Sequence, residues 1–460
     1  MKRFRALVCL LMLLVGSATA QQVKYIFLFV GDGMGINHVL GTELYNAAVH
    51  PEMDNGGQLS FTRFPVRTYC TSHAVESLVT DSSAAATAMA TGVKTISGYM
   101  GVDADKNWIE NISEVASKQR MKVGIVTNVG MNHATPGAFY AHSVSRGIYR
   151  EIFEHYLASG VDFAAGATIL CRKKEGLKAD YYINKAREAG VYVTQDSREA
   201  ADVKGRRVLL LSDSLTRRTM RYAIDRTESD PTIVDFSDAA IKYMSREAID
   251  SGFFLMIEAG HIDHAAHDND AVTTFEEIND LNSSVALALK FYEQHPDETL
   301  IIVTADHETG GLALGYSNYK MALDRLAHQK MSMGALTRRM QLMRKTRKTS
   351  WKDMETLLRE ELGFWDKVQL REKDEAQLKK TFEKNYLENG DLVVGLYASN
   401  EKMASVAIEI LNKRAYVKWT SLNHTGAQVP LFAKGCRCAE FMECYDNTDI
   451  GKTLKRLISK

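Results

Sequence analysis

The feature that most constrains the fold is a series of short apolar runs, rich in β-branched residues and separated by amphipathic stretches. Apolar runs without polar alternation are typical of strands that are buried on both faces of a sheet. Helical patterns lie between the runs, for example at 235–249 and 272–293. This alternation predicts an α/β fold with a mostly parallel central sheet sandwiched by helices. The runs are residues 25–30, 122–127, 208–211, 253–257 and 300–304.

One segment departs from this pattern. Residues 316–403 are helical in pattern, rich in methionine and strongly charged, and we interpret them as a helical insertion within a single domain at 21–460. Residues 320–352 contain ten Lys or Arg residues and one acid, but acidic residues follow at once, as on a solvated helix face. Because Lys+Arg and Asp+Glu are both 57 in the whole chain, no nucleic-acid partner is expected.

The N-terminal residues have the composition of an export signal. A basic start precedes an apolar run at 6–15 and a small-residue cleavage motif, Ala18-Thr19-Ala20. The run is shorter than the ~20 residues that a membrane span needs. We therefore expect residues 1–20 to be a signal peptide cleaved near Ala20, and the protein to be periplasmic or secreted; an uncleaved anchor is the alternative. No other stretch is apolar enough to predict a membrane span in the mature chain.

Five cysteines remain after that cleavage. Five is an odd number, so at least one thiol is unpaired or pairs between chains. Three lie close together near the C-terminus and predict one short-loop disulfide. No histidine accompanies them at zinc-finger spacing, so a structural zinc is not expected there. The five are Cys70, Cys171, Cys436, Cys438 and Cys444.

An aspartate flanked by glycines follows the first predicted strand, in the motif Gly31-Asp32-Gly33-Met34-Gly35. The spacing differs from that of a dinucleotide-binding turn, and an acid there would repel a pyrophosphate. Ligands of such sheets bind at the carboxyl ends of the strands, so Asp32 is a candidate metal ligand. A turn formed by the aspartate side chain is the alternative.

An alanine-rich stretch predicts a helix that begins at Asp81 and Ser82 and stops at Gly92. A helix N-terminus favours an anion, because its backbone N–H groups are free and its dipole is positive there. Taken alone, both residues could be simple N-caps. The metal-ligating residue types downstream favour a functional role.

Aspartate and histidine recur after the later strands. Asp263 and His267 are four residues apart, so on a helical turn they share one face and can bind one metal ion. Asp306 and His307 follow the last predicted strand. With Asp32 and a C-terminal histidine they form the set of nitrogen and oxygen ligands that zinc accepts. The candidate ligands are Asp32, Asp263, His267, Asp306, His307 and His424.

These segments, in this order, resemble the alkaline phosphatases. An ordered set is more specific than one motif, and it extends from Asp32 to His424; the insertion and most of 151–234 carry no motif of the family. The matching segments are Gly31-Asp32-Gly33-Met34-Gly35, Thr80-Asp81-Ser82, His133-Ala134-Thr135-Pro136 through Ala141-His142 to Arg146, residues 258–267, Ala305-Asp306-His307-Glu308 and His424-Thr425-Gly426.

The resemblance implies metal-dependent hydrolysis of small phosphate monoesters, with a broad substrate range. It implies that Ser82 is the nucleophile that becomes phosphoserine. It implies that Arg146 binds the phosphate and that Asp81 orients this arginine. Many relatives are homodimers, so a homodimer is one expected assembly.

The resemblance also implies two Zn²⁺ and one Mg²⁺ per chain. One zinc would be bound by Asp263, His267 and His424. The second, which also contacts the Ser82 oxygen, would be bound by Asp32, Asp306 and His307. The third ion, normally magnesium, would be bound by Asp32, Thr135 and Glu258.

Two positions differ from one branch of the family. Some bacterial members carry Asp and Lys where this chain has His133 and His264; the histidine pair resembles the animal branch and some other bacteria. We expect both histidines around the third metal ion rather than among the zinc ligands, where they tune this ion and the phosphate affinity. The identity of the third metal therefore stays open.

A phosphodiesterase or sulfatase-like hydrolase of the same superfamily is the alternative function. A sulfatase needs Cys or Ser in a C/S-x-P-x-R context, which Ser82 lacks. Diesterase relatives usually carry threonine as nucleophile and lack the arginine, so Ser82 with Arg146 favours monoesters. A non-catalytic carrier would have lost the nucleophile or a ligand, and none is missing.

Overall fold

The computed structural model of the protein describes residues 22–53, 55–172, 176, 178–212, 219–317, 319–346 and 348–459. The predicted signal peptide lies outside the described residues. The strands are β1 (Tyr25–Gly31), β2 (Val66–Cys70), β3 (Lys122–Thr127), β4 (Phe163–Gly166), β5 (Tyr192–Thr194), β6 (Val208–Leu211), β7 (Phe253–Ala259), β8 (Thr299–Thr304), β9 (Glu308–Thr309), β10 (Ala313–Leu314), β11 (Leu392–Val394), β12 (Ser399–Glu401), β13 (Val417–Lys418), β14 (His424–Thr425) and β15 (Val429–Gly435).

The α-helices alternate with these strands and also form most of the segment after β10. They are α1 (Ile36–Val49), α2 (Ser82–Thr91), α3 (Ile112–Lys118), α4 (Ala134–Gly137), α5 (Tyr149–Ala158), α6 (Ala179–Glu188), α7 (Ser197–Asp202), α8 (Ile233–Glu247), α9 (His261–His267), α10 (Ala271–Gln294), α11 (Met333–Thr346), α12 (Trp351–Leu362), α13 (Glu372–Thr381), α14 (Lys402–Arg414) and α15 (Asn447–Ile458). A π-helical segment, Phe382–Asn389, continues α13.

The central sheet has nine strands in the order β2-β15-β8-β1-β7-β3-β4-β6-β5. From β8 to β5 every neighbouring pair is parallel, and β15 runs antiparallel between β8 and β2. Every residue of β1, β7 and β8 is buried, as expected for strands covered by helices on both faces. The predicted α/β fold with a mostly parallel sheet is confirmed.

The helix that carries the candidate nucleophile begins and ends as its sequence predicts. The Asp81 carboxylate caps α2 by accepting a hydrogen bond from the Ala84 N–H at 3.0 Å. Gly92 ends the helix in the left-handed conformation, with φ of 77°. Because the stretch between them is made largely of alanine, α2 is buried along its whole length and lies close to its neighbours.

The predicted insertion contains α11 to α13, and its apolar side chains belong to a second hydrophobic cluster, separate from that of the central sheet, which also includes Phe275 of α10. Apolar side chains of these helices pack with those of α14, and the cluster includes Leu336, Met340, Leu358 and Leu411. The segment also contains a hairpin of β11 and β12, which its helical pattern did not predict. Three-residue strands are too short for periodicity to reveal.

The short disulfide predicted near the C-terminus is not formed. Within the described residues, Cys438 and Cys444 are both free thiols, so neither can belong to that bridge. The Cys70 thiol instead lies 3.9 Å from the Cys444 carbonyl oxygen. Burial raises the pKa of Cys444 to about 12, so its thiol stays protonated and weakly reactive.

Of the helices in the described part of the chain, none combines the length and the apolar character needed to cross a membrane.

Candidate functional site

The ends of four adjacent strands bring the candidate residues to one edge of the sheet. Asp32 follows β1 directly, and Glu258 lies near the end of β7. The register places Val30 of β1 beside Glu258 and beside Thr304, two residues before Asp306. Because β15 is antiparallel to β8, the segment before β15, which contains His424, returns to the same edge. Ligands of parallel sheets bind at this edge.

The structure brings together all of the residues that the sequence indicated. Groups of donor atoms lying within 4.8 Å of one another could each hold a metal ion. No sequence-predicted site residue lies elsewhere, and the roles that the resemblance implied stay predictions. The groups are Asp263 with His267 and His424, Asp32 with Asp306 and His307, and Asp32 with His133 and Glu258.

The first group is built by α9 and the β14 segment. Asp263 and His267 lie one turn apart on α9, and Nε2 of His267 is 3.4 Å from Oδ1 of Asp263. Nε2 of His424 approaches the same oxygen to 3.6 Å. Gly33, with φ of 72°, lets the β1 loop pass close by, since a Cβ there would lie 2.8 Å from Oδ1 of Asp263. The glycine after Asp32 is therefore required by the close approach of this carboxylate.

Hydrogen bonds define the tautomers of the two histidines in this group. Nδ1 of His267 is 2.6 Å from the Leu422 carbonyl oxygen, and Nδ1 of His424 is 2.9 Å from the Thr80 carbonyl oxygen. A carbonyl oxygen can only accept, so each Nδ1 donates and each neutral ring presents a lone pair at Nε2. The two Nε2 atoms are 3.1 Å apart. A cation between them removes the repulsion of the lone pairs, and the N/O donor set fits zinc.

The second group lies beside the candidate nucleophile. Nε2 of His307 is 3.4 Å from Oδ1 of Asp32 and 3.3 Å from Oδ2 of Asp306. The Ser82 Oγ lies 3.2 Å from the same nitrogen, at the first residue of α2. Backbone N–H groups of Gly33 and His307 hold Oδ1 of Asp306 at 3.0 and 2.9 Å. The Ser82 hydroxyl can therefore bind the same ion as the three ligands of this group.

The third group is rich in oxygen. Glu258 lies between Thr127, which donates a hydrogen bond to Oε2, and the region of Thr135. His133 contributes a nitrogen that the resemblance had placed outside the ligands, so it is close enough to bind the ion directly. Carboxylate and hydroxyl oxygens are the donors that magnesium prefers, and this group fits such an ion.

Several buried oxygens at these three groups have no hydrogen-bond partner among the described residues. An unpaired buried carboxylate oxygen is costly, so these atoms call for bound cations. They are Oδ1 and Oδ2 of Asp32, Oδ2 of Asp263, Oδ2 of Asp306, Oε1 of Glu258 and Oγ1 of Thr135.

The crowding of carboxylates changes their affinity for protons. Burial, and then the charge of Asp263, raises the pKa of Asp306 to about 8. Burial raises the pKa of Glu258 to about 7, and burial with the neighbouring acids raises that of Asp32 well above its ordinary value. Asp263 differs: burial opposes its ionisation, but His267 and then His424 bring its pKa well below the usual range. Without metal ions, protons compensate part of this negative charge.

The candidate phosphate-binding arginine is held in place by the cap of α2. Nη1 of Arg146 donates to Oδ2 of Asp81 at 3.0 Å, and Nη2 lies 3.4 Å from Nε2 of His133. The same oxygen of Asp81 accepts from the Ser83 hydroxyl at 2.6 Å and from the Gly98 N–H at 3.1 Å. Burial alone would raise the pKa of Asp81, but Arg146 and these hydrogen bonds lower it. An ionised Asp81 therefore orients the guanidinium.

His264 lines the same cavity as Arg146 and lies next to His133. Its ring is buried, and burial brings its pKa well below the ordinary value, so it is neutral. The ring of Tyr397, from the β11–β12 hairpin, stacks on it with a centroid distance of 3.8 Å. His133 is the next ring, 6.1 Å from His264.

Three further residues at the site were not found from the sequence. Thr127 ends β3 and donates to Glu258, and its place at a strand end could have revealed it. Thr309 follows the Asp306-His307-Glu308 motif and donates to Asp263. No sequence pattern indicated Tyr397, because it lies in the insertion and belongs to none of the motifs of the site.

Comparisons with known proteins agree with this geometry. A family model described as alkaline phosphatase matches residues 23–161 and 162–459. Alkaline phosphatase 3 of Bacillus subtilis (strain 168) is 28% identical over 453 residues, which cover 94% of this chain and 88% of that protein. Alkaline phosphatase 4 of the same organism is 30% identical over 390 residues, covering 83% and 77%. The crystal structure of a cold-active alkaline phosphatase from Shewanella sp. has a TM-score of 0.78 at 25% identity, covering 95% of this chain and 100% of that one.

Proposed function

Because this chain belongs to the alkaline phosphatase family, whose members are phosphomonoester hydrolases, we propose that its site cleaves phosphate monoesters through a phosphoserine intermediate on Ser82. One observation carries the proposal. The Ser82 hydroxyl lies at the N-terminus of a buried helix, 3.2 Å from Nε2 of His307, where the second group of metal-ligating residues converges. A serine hydroxyl needs such an environment to act as a nucleophile near neutral pH.

We propose two Zn²⁺ and one Mg²⁺ as cofactors. Asp263, His267 and His424 would hold one zinc, and Asp32, Asp306 and His307 the other. Glu258 and Thr135, with Asp32, would hold magnesium, and His133 lies close enough to join them. When bound, two ions at such sites lower the pKa of the attacking hydroxyl groups and stabilise the charge on the entering and leaving oxygens.

The protein's own groups would then position the phosphoryl group. The first turn of α2 offers free backbone N–H groups beside Ser82, which favour an anion. Arg146 presents a planar fork that matches two non-bridging phosphate oxygens. Because Asp81 both caps α2 and orients Arg146, the nucleophile and the arginine keep one relative geometry.

Replacing Arg146 with alanine should weaken substrate and phosphate binding and leave the metals bound. Arginine makes no metal bond, and its bidentate contact contributes on the order of 2–4 kcal/mol of transition-state stabilisation. The kcat/KM for a chromogenic monoester and the inhibition constant of inorganic phosphate measure this loss, with zinc content measured alongside. Arg150→Ala is the matched control, since Arg150 is exposed and forms an ion pair with Glu154 one turn along the same helix. Unchanged catalytic efficiency in the Arg146 variant, or loss of its zinc, contradicts the assigned role.

The substrate class is tested by comparing a chromogenic monoester, a diester and a sulfate ester under single-turnover conditions. The proposal expects the monoester to react fastest, because Arg146 and α2 are arranged for a phosphoryl group with unesterified oxygens. A faster diester or sulfate reaction would favour the alternative hydrolase of the same superfamily. The zinc- and magnesium-loaded protein is used for all three.

We also propose a broad range of leaving groups. The cavity above Arg146 has a volume of about 540 Å³, which exceeds the size of a phosphoryl group. Its walls include the side chains of Tyr149, Leu170, Tyr222 and Leu396. Such apolar and aromatic walls would contact a leaving group without requiring particular polar groups on it. Export after cleavage near Ala20, with a periplasmic or secreted location, and assembly into a homodimer are further proposals, supported by the N-terminal composition and by the family.

A further inference from the structure

The β11–β12 hairpin of the insertion reaches into the site through its turn. The pairs Val394–Ser399 and Leu392–Glu401 close the ladder, and the Gly395 N–H donates to the Ala398 carbonyl at 2.8 Å. Tyr397 therefore lies in the tight turn between the strands. Leu396, Tyr397 and Ala398 all line the cavity that contains Arg146.

The hairpin is tied to the catalytic domain and to the helices of the insertion. Nδ2 of Asn400 donates to Oδ1 of Asp268, directly after the ligand His267, at 2.8 Å. The buried Glu401 forms an ion pair with Arg344 of α11, with one N–O distance of 2.9 Å. These polar contacts hold the turn in position, so the segment after α9 and helix α11 of the insertion together determine where Tyr397 lies.

The ring of Tyr397 packs on the histidines of the site. Its ring centroid lies 3.8 Å from that of His264, with the two rings tilted by 32°, and 5.4 Å from that of His267, at an interplanar angle of 68°. These contacts fix the orientation of the ring and therefore the position of its hydroxyl group. Tyrosine loses little conformational entropy on ordering, which suits it to such a role.

The hydroxyl oxygen of Tyr397 is buried and has no hydrogen-bond partner of ordinary geometry among the described residues. The Arg146 guanidinium lies close enough to donate to the phenol oxygen, and an arginine cannot accept, so the group that lacks a partner is the O–H donor. A buried O–H donor without an acceptor is unfavourable, and an oxygen of a bound ligand would remove this cost. The phosphoryl group that we place against Arg146 would supply such an oxygen.

We propose that the Tyr397 O–H donates a hydrogen bond to a non-bridging oxygen of the phosphoryl group that Arg146 binds, so that the insertion completes the phosphate site. This inference rests on the proposed monoesterase function. A phenol O–H can donate a hydrogen bond to an anionic oxygen without adding a positive charge to the site. Tyr397 is thereby assigned as a catalytic residue that contacts the substrate.

The test replaces Tyr397 with phenylalanine, which keeps the ring contacts and removes only the donor. The variant, loaded with zinc and magnesium, should bind inorganic phosphate about tenfold to a hundredfold more weakly, with a similar loss of kcat/KM for a monoester. Its zinc content should equal that of the unchanged protein. Tyr445→Phe is the matched control, because that side chain is 66% exposed and remote from the site.

A second pair of variants separates the donor from the ring. Tyr397→Gln keeps a hydrogen-bond donor and Tyr397→Leu does not, and both lack the ring. Tighter phosphate binding by the Gln variant supports the proposal. Equal affinities for Gln and Leu, or a Tyr397→Phe variant with unchanged phosphate affinity, overturn it, and the tyrosine then acts only by packing on His264. Failure of the unchanged, metal-loaded protein to cleave monoesters would instead contradict the proposed function.

Discussion

Replacing Ser82 with alanine should lower kcat/KM for a phosphate monoester by about a thousandfold or more. The variant loses the oxygen that, in the proposed mechanism, forms the covalent intermediate, and that lies 3.2 Å from Nε2 of His307. The residual reaction would come from direct attack by water at the same positions. Steady-state kinetics with a chromogenic monoester measure the loss, with zinc and magnesium contents checked in parallel.

The covalent step has its own readouts in the unchanged enzyme. Two successive in-line displacements restore the configuration at phosphorus, whereas one direct attack inverts it. A chiral phosphate monoester should therefore give net retention, and added amino alcohols should intercept part of the phosphoryl groups. Acid quenching should trap labelled phosphate on the peptide that contains Ser82.

The neighbouring serine is the matched control for trapping. The Ser83 hydroxyl donates to Asp81 rather than facing His307, so Ser83→Ala should still become labelled. Ser82→Ala should not become labelled. Inversion of configuration in the unchanged enzyme, or undiminished labelling of Ser82→Ala, would refute the phosphoserine mechanism.

Removing the metals should abolish turnover, and zinc with magnesium should restore it. The physical reason is the set of buried carboxylate oxygens and facing histidine lone pairs that only cations compensate. Dialysis against a strong chelator, followed by metal analysis and assay, measures the effect. Full activity of a demonstrably metal-free sample would contradict it.

One ligand variant makes the metal test specific to a site. His424→Ala should reduce bound zinc from two ions to about one and lower kcat/KM by a hundredfold or more, an order-of-magnitude expectation for loss of a metal ligand. His50→Ala is the control, because that side chain is exposed and outside the site. Retention of both zinc ions by the His424 variant would exclude it as a ligand.

The same carboxylates predict how pH acts on metal binding. In the metal-free chain the pKa of Asp306 is about 8 and that of Glu258 about 7, so Asp306 is largely protonated at pH 7 and both groups are largely protonated at pH 6. Metal binding must displace these protons, so affinity should fall as pH decreases from 8 to 6. Calorimetric titrations in buffers of different ionisation enthalpy measure the released protons. Binding without proton release at pH 6 would contradict the assignment.

Stability of the metal-free protein should change in the opposite direction. Unfolded carboxyl groups titrate near pH 4, whereas Asp306 and Glu258 titrate near 7 to 8 when folded, so the folded chain binds more protons between these values. The free energy of unfolding should then fall as pH rises through this window. Urea unfolding of metal-free and metal-loaded samples at several pH values distinguishes the contribution of these groups.

The predicted α/β architecture and the candidate aspartate and histidine ligands followed from local patterns in the chain, whereas Thr135, Arg146 and Glu258 were assigned only through the family resemblance. Strands such as β1 and β7 are buried on both faces, because helices cover both sides of a parallel sheet. Such strands need apolar residues at every position, and these runs are visible in the sequence. Asp32 was recognisable because it comes directly after such a strand, where neighbouring carboxyl ends meet. Asp263 and His267 were recognisable because four residues make one helical turn.

Other features could not be predicted, because they depend on contacts between distant segments. The prediction of a disulfide among Cys436, Cys438 and Cys444 was wrong. The spacing of cysteines along the chain does not determine whether two sulfur atoms meet with suitable geometry. His133 lies in one of the groups that could hold a metal ion, because tertiary packing brings its ring close to Asp32 and Glu258. No local sequence motif indicates this proximity.

By itself, then, the sequence determined the sheet, the helix that carries Ser82 and the chemical types of the site residues, because each depends on neighbours within a few positions. Only the tertiary structure decided how the groups combine: which carboxylates share an ion, and that the Nε2 atoms of His267 and His424 face each other at 3.1 Å. It also decided that Tyr397, which is 133 positions after His264 in the chain, packs against the His264 ring and lines the cavity that contains Arg146. Such placements arise from the packing of a hairpin anchored by Asn400 and Glu401, and long-range packing leaves no periodic signal in the chain.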